Sequence, residues 1–316
     1  MLKSLNEPNR NSRERARLLM RRLETDGPLR IVDIGARLSK TAPFYKPLLQ
    51  MDVGRLSAFE PDPEAMEKLQ AEVGEDVTLY PSAVGAPGPA TFYLHKIGSL
   101  SSIFRLRPPA AKFLGKRFWV NRPVEEVRMT LTALDDVEGL PDIDLLKMDV
   151  QGAELDILRH GAKRLSKAVC VVPEVRFYQM YEGEPMFADV DQELRRQGFV
   201  LHKFLAFKQV RLPSRAGARI TSRAGWSQLL DGDAAYIRNL EDHEAVSDVE
   251  LARLALVADM ALQSPDLCAH CLHLLADRGR ISGAVVDRYV DRLPPGMAEA
   301  LTAGESAIDP GADTIS

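Results

Sequence analysis

The sequence predicts an α/β protein of Rossmann-like type, with a mostly parallel sheet, an antiparallel closing strand and a C-terminal helical element. Three observations carry this. From residue 29 to 175, short apolar runs ending in turn residues alternate with amphipathic segments, the pattern of parallel strands joined by crossover helices. Two runs of alternating apolar and polar residues, "FVLHKFLAF" and "AAYIRNL", then read as a closing antiparallel pair. Beyond residue 243 the apolar period becomes helical.

The elements follow in order. Residues 8–25 read as a basic amphipathic helix with Ala16, Leu19, Met20 and Leu23 on one stripe; the arginines around it read as a solvated face, and Gly27-Pro28 ends it. Parallel strands are expected at 30–34, 55–60, 76–80, 143–149 and 168–175, and helices at 42–51, 62–73, 152–165 and 186–197. A long insert, 85–142, holds two strand-like stretches, "ATFYLHKI" and "EEVRMTLTAL", around a Pro- and Arg-rich loop. This divides the chain into an N-terminal helical extension (1–28), a main domain (29–242), a helical appendage (243–302) and a disordered tail (303–316). The appendage is expected either to cap the crevice or to make a homo-oligomer interface.

Composition narrows the function classes. With 45% hydrophobic and 27% charged residues in 316, the chain can bury a large core. A net charge of -4 gives no electrostatic case for nucleic acid or an anionic membrane surface as the main partner, and favours a small-molecule or glycan partner. Three cysteines cannot build a disulfide framework and suit a reducing compartment. No signal-peptide core and no apolar run of membrane-spanning length occurs, so a cytoplasmic location without a membrane span is expected. Cys268, His270, Cys271 and His273 resemble metal ligands, but on a helix they scatter over more than one face; Cys268, Cys271, Leu272 and Leu275 read as a buried stripe, and no metal ligands are assigned.

The chemistry-bearing residues lie at strand ends. Gly35, directly after Val32-Asp33-Ile34, removes a side chain where a ligand must approach the backbone. Glu60 ends the second strand, from which a carboxylate can accept hydrogen bonds from two ribose hydroxyls. The plainer alternatives are a simple turn at Gly35 and a surface acid at Glu60 ahead of a Pro-initiated helix. A dinucleotide fingerprint needs three glycines for its pyrophosphate, whereas Gly35 is followed by Ala36, Arg37, Leu38 and Ser39; this favours S-adenosylmethionine, which has no phosphate, over a nicotinamide cofactor. Asp149 ends the fourth strand and Lys147 shares its face, so either can orient an acceptor or the cofactor, and Asp149 can act as a base or cap the next helix. Glu174 ends the fifth strand at the same edge, either pairing with Asp149 around an acceptor hydroxyl or making a salt bridge to Arg176.

With these pieces in order, the sequence resembles the FkbM family of S-adenosylmethionine-dependent methyltransferases over roughly residues 29 to 240. The resemblance is carried by "FEPDPEAMEKL", "SAVG", "GSLSSI" and above all "LTALDDVEGLPDIDLLKMDVQGAELDILRHGAKRL". It implies a Rossmann-like class I methyltransferase fold, with Asp33, Gly35 and Ala36 at the methionine end of the cofactor and Glu60, followed by Pro61, at the ribose. Ser82, Ala83 and Val84 would lie near the adenine, and Asp149 would border methyl transfer to a hydroxyl oxygen of a sugar or other natural-product acceptor. Two departures stand out: Arg37 and Ser39 replace the usual Asn and second Gly, and Gln151 stands where an acid is usual. In the expected reaction Asp149 or Glu174 assists deprotonation; a bound divalent ion could help, though no residue pattern calls for one. The rivals are a non-catalytic scaffold that keeps the fold and an NAD-dependent enzyme.

Overall fold

In the computed structural model, residues 10–36, 42–72 and 77–299 are described. Arg37 and Ser39, the start of the expected N-terminal helix at residues 8 and 9, and the tail 303–316 lie outside them.

Seven strands form one sheet: β1 (Leu29–Ile34), β2 (Gly54–Phe59), β3 (Val77–Tyr80), β6 (Leu145–Met148), β7 (Cys170–Arg176), β8 (Phe199–Val210) and β9 (Gln228–Arg238). Their spatial order is β3-β2-β1-β6-β7-β9-β8, all neighbours being parallel except those of β9, which runs antiparallel to both β7 and β8. β1 is almost wholly buried because both of its faces are covered, as a central parallel strand requires. Its alternation assigns Leu29 and Ile31 to one apolar cluster and Val32 and Ile34 to the other. The remaining strands, β4 (Gly88–His95) and β5 (Val124–Leu131), pair antiparallel as a separate ribbon within the long insert, with the short helix α4 (Pro108–Phe113) between them.

One face of the sheet is covered by α5 (Glu154–Arg159) and α6 (Phe187–Arg196). The opposite cluster holds α1 (Arg10–Arg22), α2 (Lys46–Gln50), Leu69 of α3 (Pro63–Glu72), α7 (Asp248–Val257), α8 (Pro265–Asp277) and Tyr289 of α9 (Ala284–Val290). The segment expected as an appendage is thus packed in the same cluster as β1 and β2. Two buried ion pairs tie it down, Arg15 of α1 donating to Asp259 at 2.8 Å and Arg253 reaching Asp144 at 2.7 Å, and Tyr289 donates a hydrogen bond to the Asp259 carboxylate at 2.9 Å. α7 runs directly into one π-helical turn, Ala258–Leu262, which ends at Gln263 in the left-handed region.

Several expected details change. Met20 is 41% exposed while Ala16, Leu19 and Leu23 are buried, and Arg15 is buried against Asp259 rather than solvated. The helix expected over 152–165 runs only from Glu154 to Arg159, and just beyond it the chain packs tightly at Gly161, where a Cβ would fall 2.7 Å from Leu134 and 2.8 Å from the Ile157 carbonyl. α2 begins only at Lys46, with Pro47 in its first turn. On α8, Cys268, Cys271, Leu272 and Leu275 are all buried, and burial pushes the Cys271 thiol up to about 12. Among the described residues, no helix is long and apolar enough to cross a membrane.

Candidate active site

Strands running the same way deliver their carboxyl ends to one edge, and there a cleft of about 1480 Å³ opens. Asp33, Gly35, Ala36, Glu60, Pro61, Ser82, Ala83, Val84, Lys147 and Asp149 all line it. Glu174 does not; its carboxylate lies one layer behind Asp149.

The turn after β1 is held tightly. The Gly35 and Ala36 amides both donate to the Phe59 carbonyl at 3.0 Å, and the backbone amide of Asp149 donates to the Ile34 carbonyl at 3.0 Å. Gly35 has φ +85°, and a Cβ there would sit 2.2 Å from the Asp149 carbonyl oxygen. Gly35 therefore does more than allow a turn: it lets the exits of β1 and β6 touch. Glu60, expected in the plainer reading to be a surface acid, is only 2% exposed, and its Oε1 accepts from the Asp62 amide at 2.9 Å.

Across the cleft floor, Asp33 and Lys147 are register partners on adjacent strands and form an ion pair at 3.2 Å. Burial works against the Lys147 charge, but Asp33, Asp149 and Asp233 outweigh it and hold the ammonium above its ordinary value. The Tyr45 hydroxyl donates to the other Asp33 oxygen, and burial together with that carboxylate pushes the phenol well up. Asp233 of β9, register partner of Glu174, also lines the cleft; burial first and Asp149 second push it up to about 6.

Behind this floor lies a connected polar layer. Gln151 donates from Nε2 to Asp149 at 2.7 Å and to Glu174 at 2.8 Å, while its Oε1 accepts from Arg176 at 2.7 Å. Arg176 in turn pairs with Glu174 and with Asp231, each at 2.8 Å. Glu174 therefore makes the salt bridge to Arg176 and meets Asp149 only through Gln151, not as a pair flanking an acceptor in the cleft. Burial, then Asp149, raises its carboxyl well above the usual range. Asp149 does not cap α5, whose N-cap is Ala153; Glu154 instead accepts from the Val150 and Gly152 amides and shapes the loop.

Sequence reasoning missed Tyr45, Asp233 and the wall built by Lys203, Phe204, Ala261, Leu262 and Gln263. The "DGDAAY" run carried one usable signal: acids inside an otherwise apolar strand are rarely buried without a reason. Nothing local marks the π-helical turn as a cleft wall.

A family model described as the methyltransferase FkbM domain matches residues 33–201, which is more than half of the chain. The chain belongs to the FkbM methyltransferase family. A 2-O-methyltransferase, NoeI, of Sinorhizobium fredii is 30% identical over 181 residues, covering 54% of this chain and 72% of that protein. Among solved structures, magnesium protoporphyrin IX methyltransferase of Synechocystis is 11% identical (76% of this chain, 86% of that one, TM-score 0.34). A TehB-like methyltransferase of Corynebacterium glutamicum is also 11% identical (71% and 87%, TM-score 0.34). This FkbM-family chain has the Rossmann-like class I methyltransferase fold, a mostly parallel sheet closed through an antiparallel strand. Lys203, Asp233 and the wall at 261–263 lie beyond the stretch that the family model matches.

Proposed function

We propose that this protein transfers a methyl group from S-adenosylmethionine to a hydroxyl oxygen of a small-molecule or glycan acceptor. The observation that carries the reading is the convergence of Asp33, Glu60 and Asp149 around a glycine turn in one cleft at the carboxyl edge of the sheet. The donor set suits an adenosyl cofactor: a buried carboxylate at the end of β2 matches a ribose diol, and the turn offers no three-glycine cradle for a pyrophosphate. The family membership and the 2-O-methyltransferase relative support the same reading.

In this mechanism Glu60 accepts from the ribose hydroxyls, Ser82 to Val84 flank the base, and Asp33 with Tyr45 and Lys147 fixes the amino-acid end. When bound, the cofactor supplies an electrophilic sulfonium methyl. Asp149 accepts the proton of the acceptor hydroxyl as that oxygen becomes nucleophilic. Gln151 holds the Asp149 carboxylate toward the cleft, and Glu174 acts through Gln151 rather than on the acceptor. Positioning supplies most of the rate.

Isothermal titration calorimetry with S-adenosylmethionine tests this reading. Binding should be measurable, and Glu60→Ala should weaken it at least about tenfold, since hydrogen bonds to a buried charge are lost, without changing the circular dichroism. An absence of binding heat would leave the scaffold reading standing; unchanged affinity in the variant would remove Glu60 from the ribose site.

A further inference from the structure

The chain's net charge of -4 hides a strong polarisation. Residues 105–128 and 203–226 together hold thirteen Lys and Arg against two Glu, so the rest of the chain is markedly acidic. These two stretches meet in space. A Cβ on Gly115 would lie 2.9 Å from Pro213, and a shallow groove of about 520 Å³ between them is lined by Pro109, Lys112, Phe113, Arg117, Leu212 and Pro213. Beneath it, Leu106, Leu114, Val210 and Leu230 form one apolar cluster that anchors both.

The apolar surface is concentrated in the same place. Among the described residues, eight large apolar side chains are conspicuously exposed, and six of them fall in these two stretches. Phe118 and Phe207 are about half exposed, at 47% and 53%, and Ile220 stands at 44%. Cations stand among them: the Arg122 guanidinium lies 5.9 Å from the Phe118 ring. Scattered single apolar residues need no explanation, but a cluster interleaved with an excess of charge of one sign does.

We propose that this lobe docks the protein on an anionic phospholipid bilayer, its phenylalanines and aliphatic side chains entering the headgroup boundary while lysines and arginines meet lipid phosphates. Interfacial binding requires that combination, apolar area for the acyl boundary and cations for the surface potential. Two other occupants fit less well. Nucleic acid would be met by stacking platforms throughout, whereas half of the six exposed apolar side chains, Val124, Leu212 and Ile220, offer no ring to a base and suit an acyl boundary as well as the three phenylalanines do. A second copy would bring the same basic surface against itself in a two-fold contact, and like charges would oppose it. The surface borders the cleft, since the Phe207 ring lies 4.6 Å from that of Phe204 in the cleft wall. Bilayer binding is independent of methyl transfer and can succeed or fail separately.

Co-sedimentation of the full chain with vesicles tests the proposal. The protein should pellet with vesicles of phosphatidylglycerol and phosphatidylcholine, pellet far less with phosphatidylcholine alone, and be released by salt. The double variant Lys112→Glu, Arg117→Glu should lose about tenfold or more in vesicle affinity, given about 1 kcal/mol for each cation near such a surface. The pair Phe113→Ser, Leu212→Ser should lose a similar factor at low salt, with the thermal midpoint showing that each variant remains folded. No pelleting with the anionic vesicles, or pelleting that both pairs leave unchanged, would overturn the proposal. So would tighter binding to polyuridylate than to vesicles, or a dimer in light scattering that the Phe113→Ser, Leu212→Ser pair dissolves.

Discussion

Gln151 holds a left-handed backbone conformation, φ 59°, and one side-chain amide serves both signs of charge: its nitrogen bonds two carboxylates and its oxygen accepts from a guanidinium. Only an amide can do this without taking up a proton. Glu at this position would set a third carboxylate between Asp149 and Glu174, so Gln151→Glu should lower turnover at neutral pH. The deficit relative to the parent should narrow as the pH falls, because a protonated Glu can donate as the amide does; a ratio of rates independent of pH would end that account. Asp149→Asn, which removes the base and keeps the shape, should cost about a hundredfold in turnover with cofactor affinity nearly unchanged, read as separate rate and calorimetric measurements. Asp149, Lys147 and Glu60 were legible in the sequence because each sits at a fixed offset from a strand end. The bridge from Gln151 to Glu174 was not, since it joins residues 23 positions apart through an amide whose partners no local pattern names. Gln151 could be read only as a missing acid.

At the scale of elements, the parallel strands were legible because a strand covered on both faces must be continuously apolar, and few other segments in the chain are. The helical layers were less so. Apolar stripes on α1 and on α7 to α9 show that each helix packs, but not on what, and the chain separates α1 from α7 by more than two hundred residues. The deciding contacts are polar: Arg15 and Tyr289 converge on Asp259 from opposite ends of the chain. Asp259→Ala should leave the Arg15 charge buried without its partner and lower global stability by about 3 to 5 kcal/mol. Urea denaturation measures this, and a loss below about 1 kcal/mol would mean that water replaces the carboxylate and that the tie is dispensable.

At the scale of the whole molecule, the carboxyls displaced toward their neutral forms gather, among the described residues, in and just behind the cleft. Burial raises Glu154 and Glu174, pushes Glu184 up to about 7 and, with Asp149, pushes Asp233 up to about 6. A carboxyl that binds its proton more tightly folded than unfolded destabilises the native state as the pH rises. In the unfolded chain Asp233 ionises near pH 4, at about 3.9, whereas in the folded protein it does so only near 6. The penalty accumulates across that interval and is constant above it. Such a layer makes sense in a cleft that must present carboxylates to a ligand, where activity and stability oppose each other. Asp233→Asn should therefore stabilise the protein by about 1 to 3 kcal/mol at pH near 8 and by almost nothing at pH near 4. Thermal midpoints at the two pH values decide the matter: an equal gain at both would trace the effect to packing, and a loss at the higher pH would mean that the pull of Asp233 on Lys147 outweighs its desolvation.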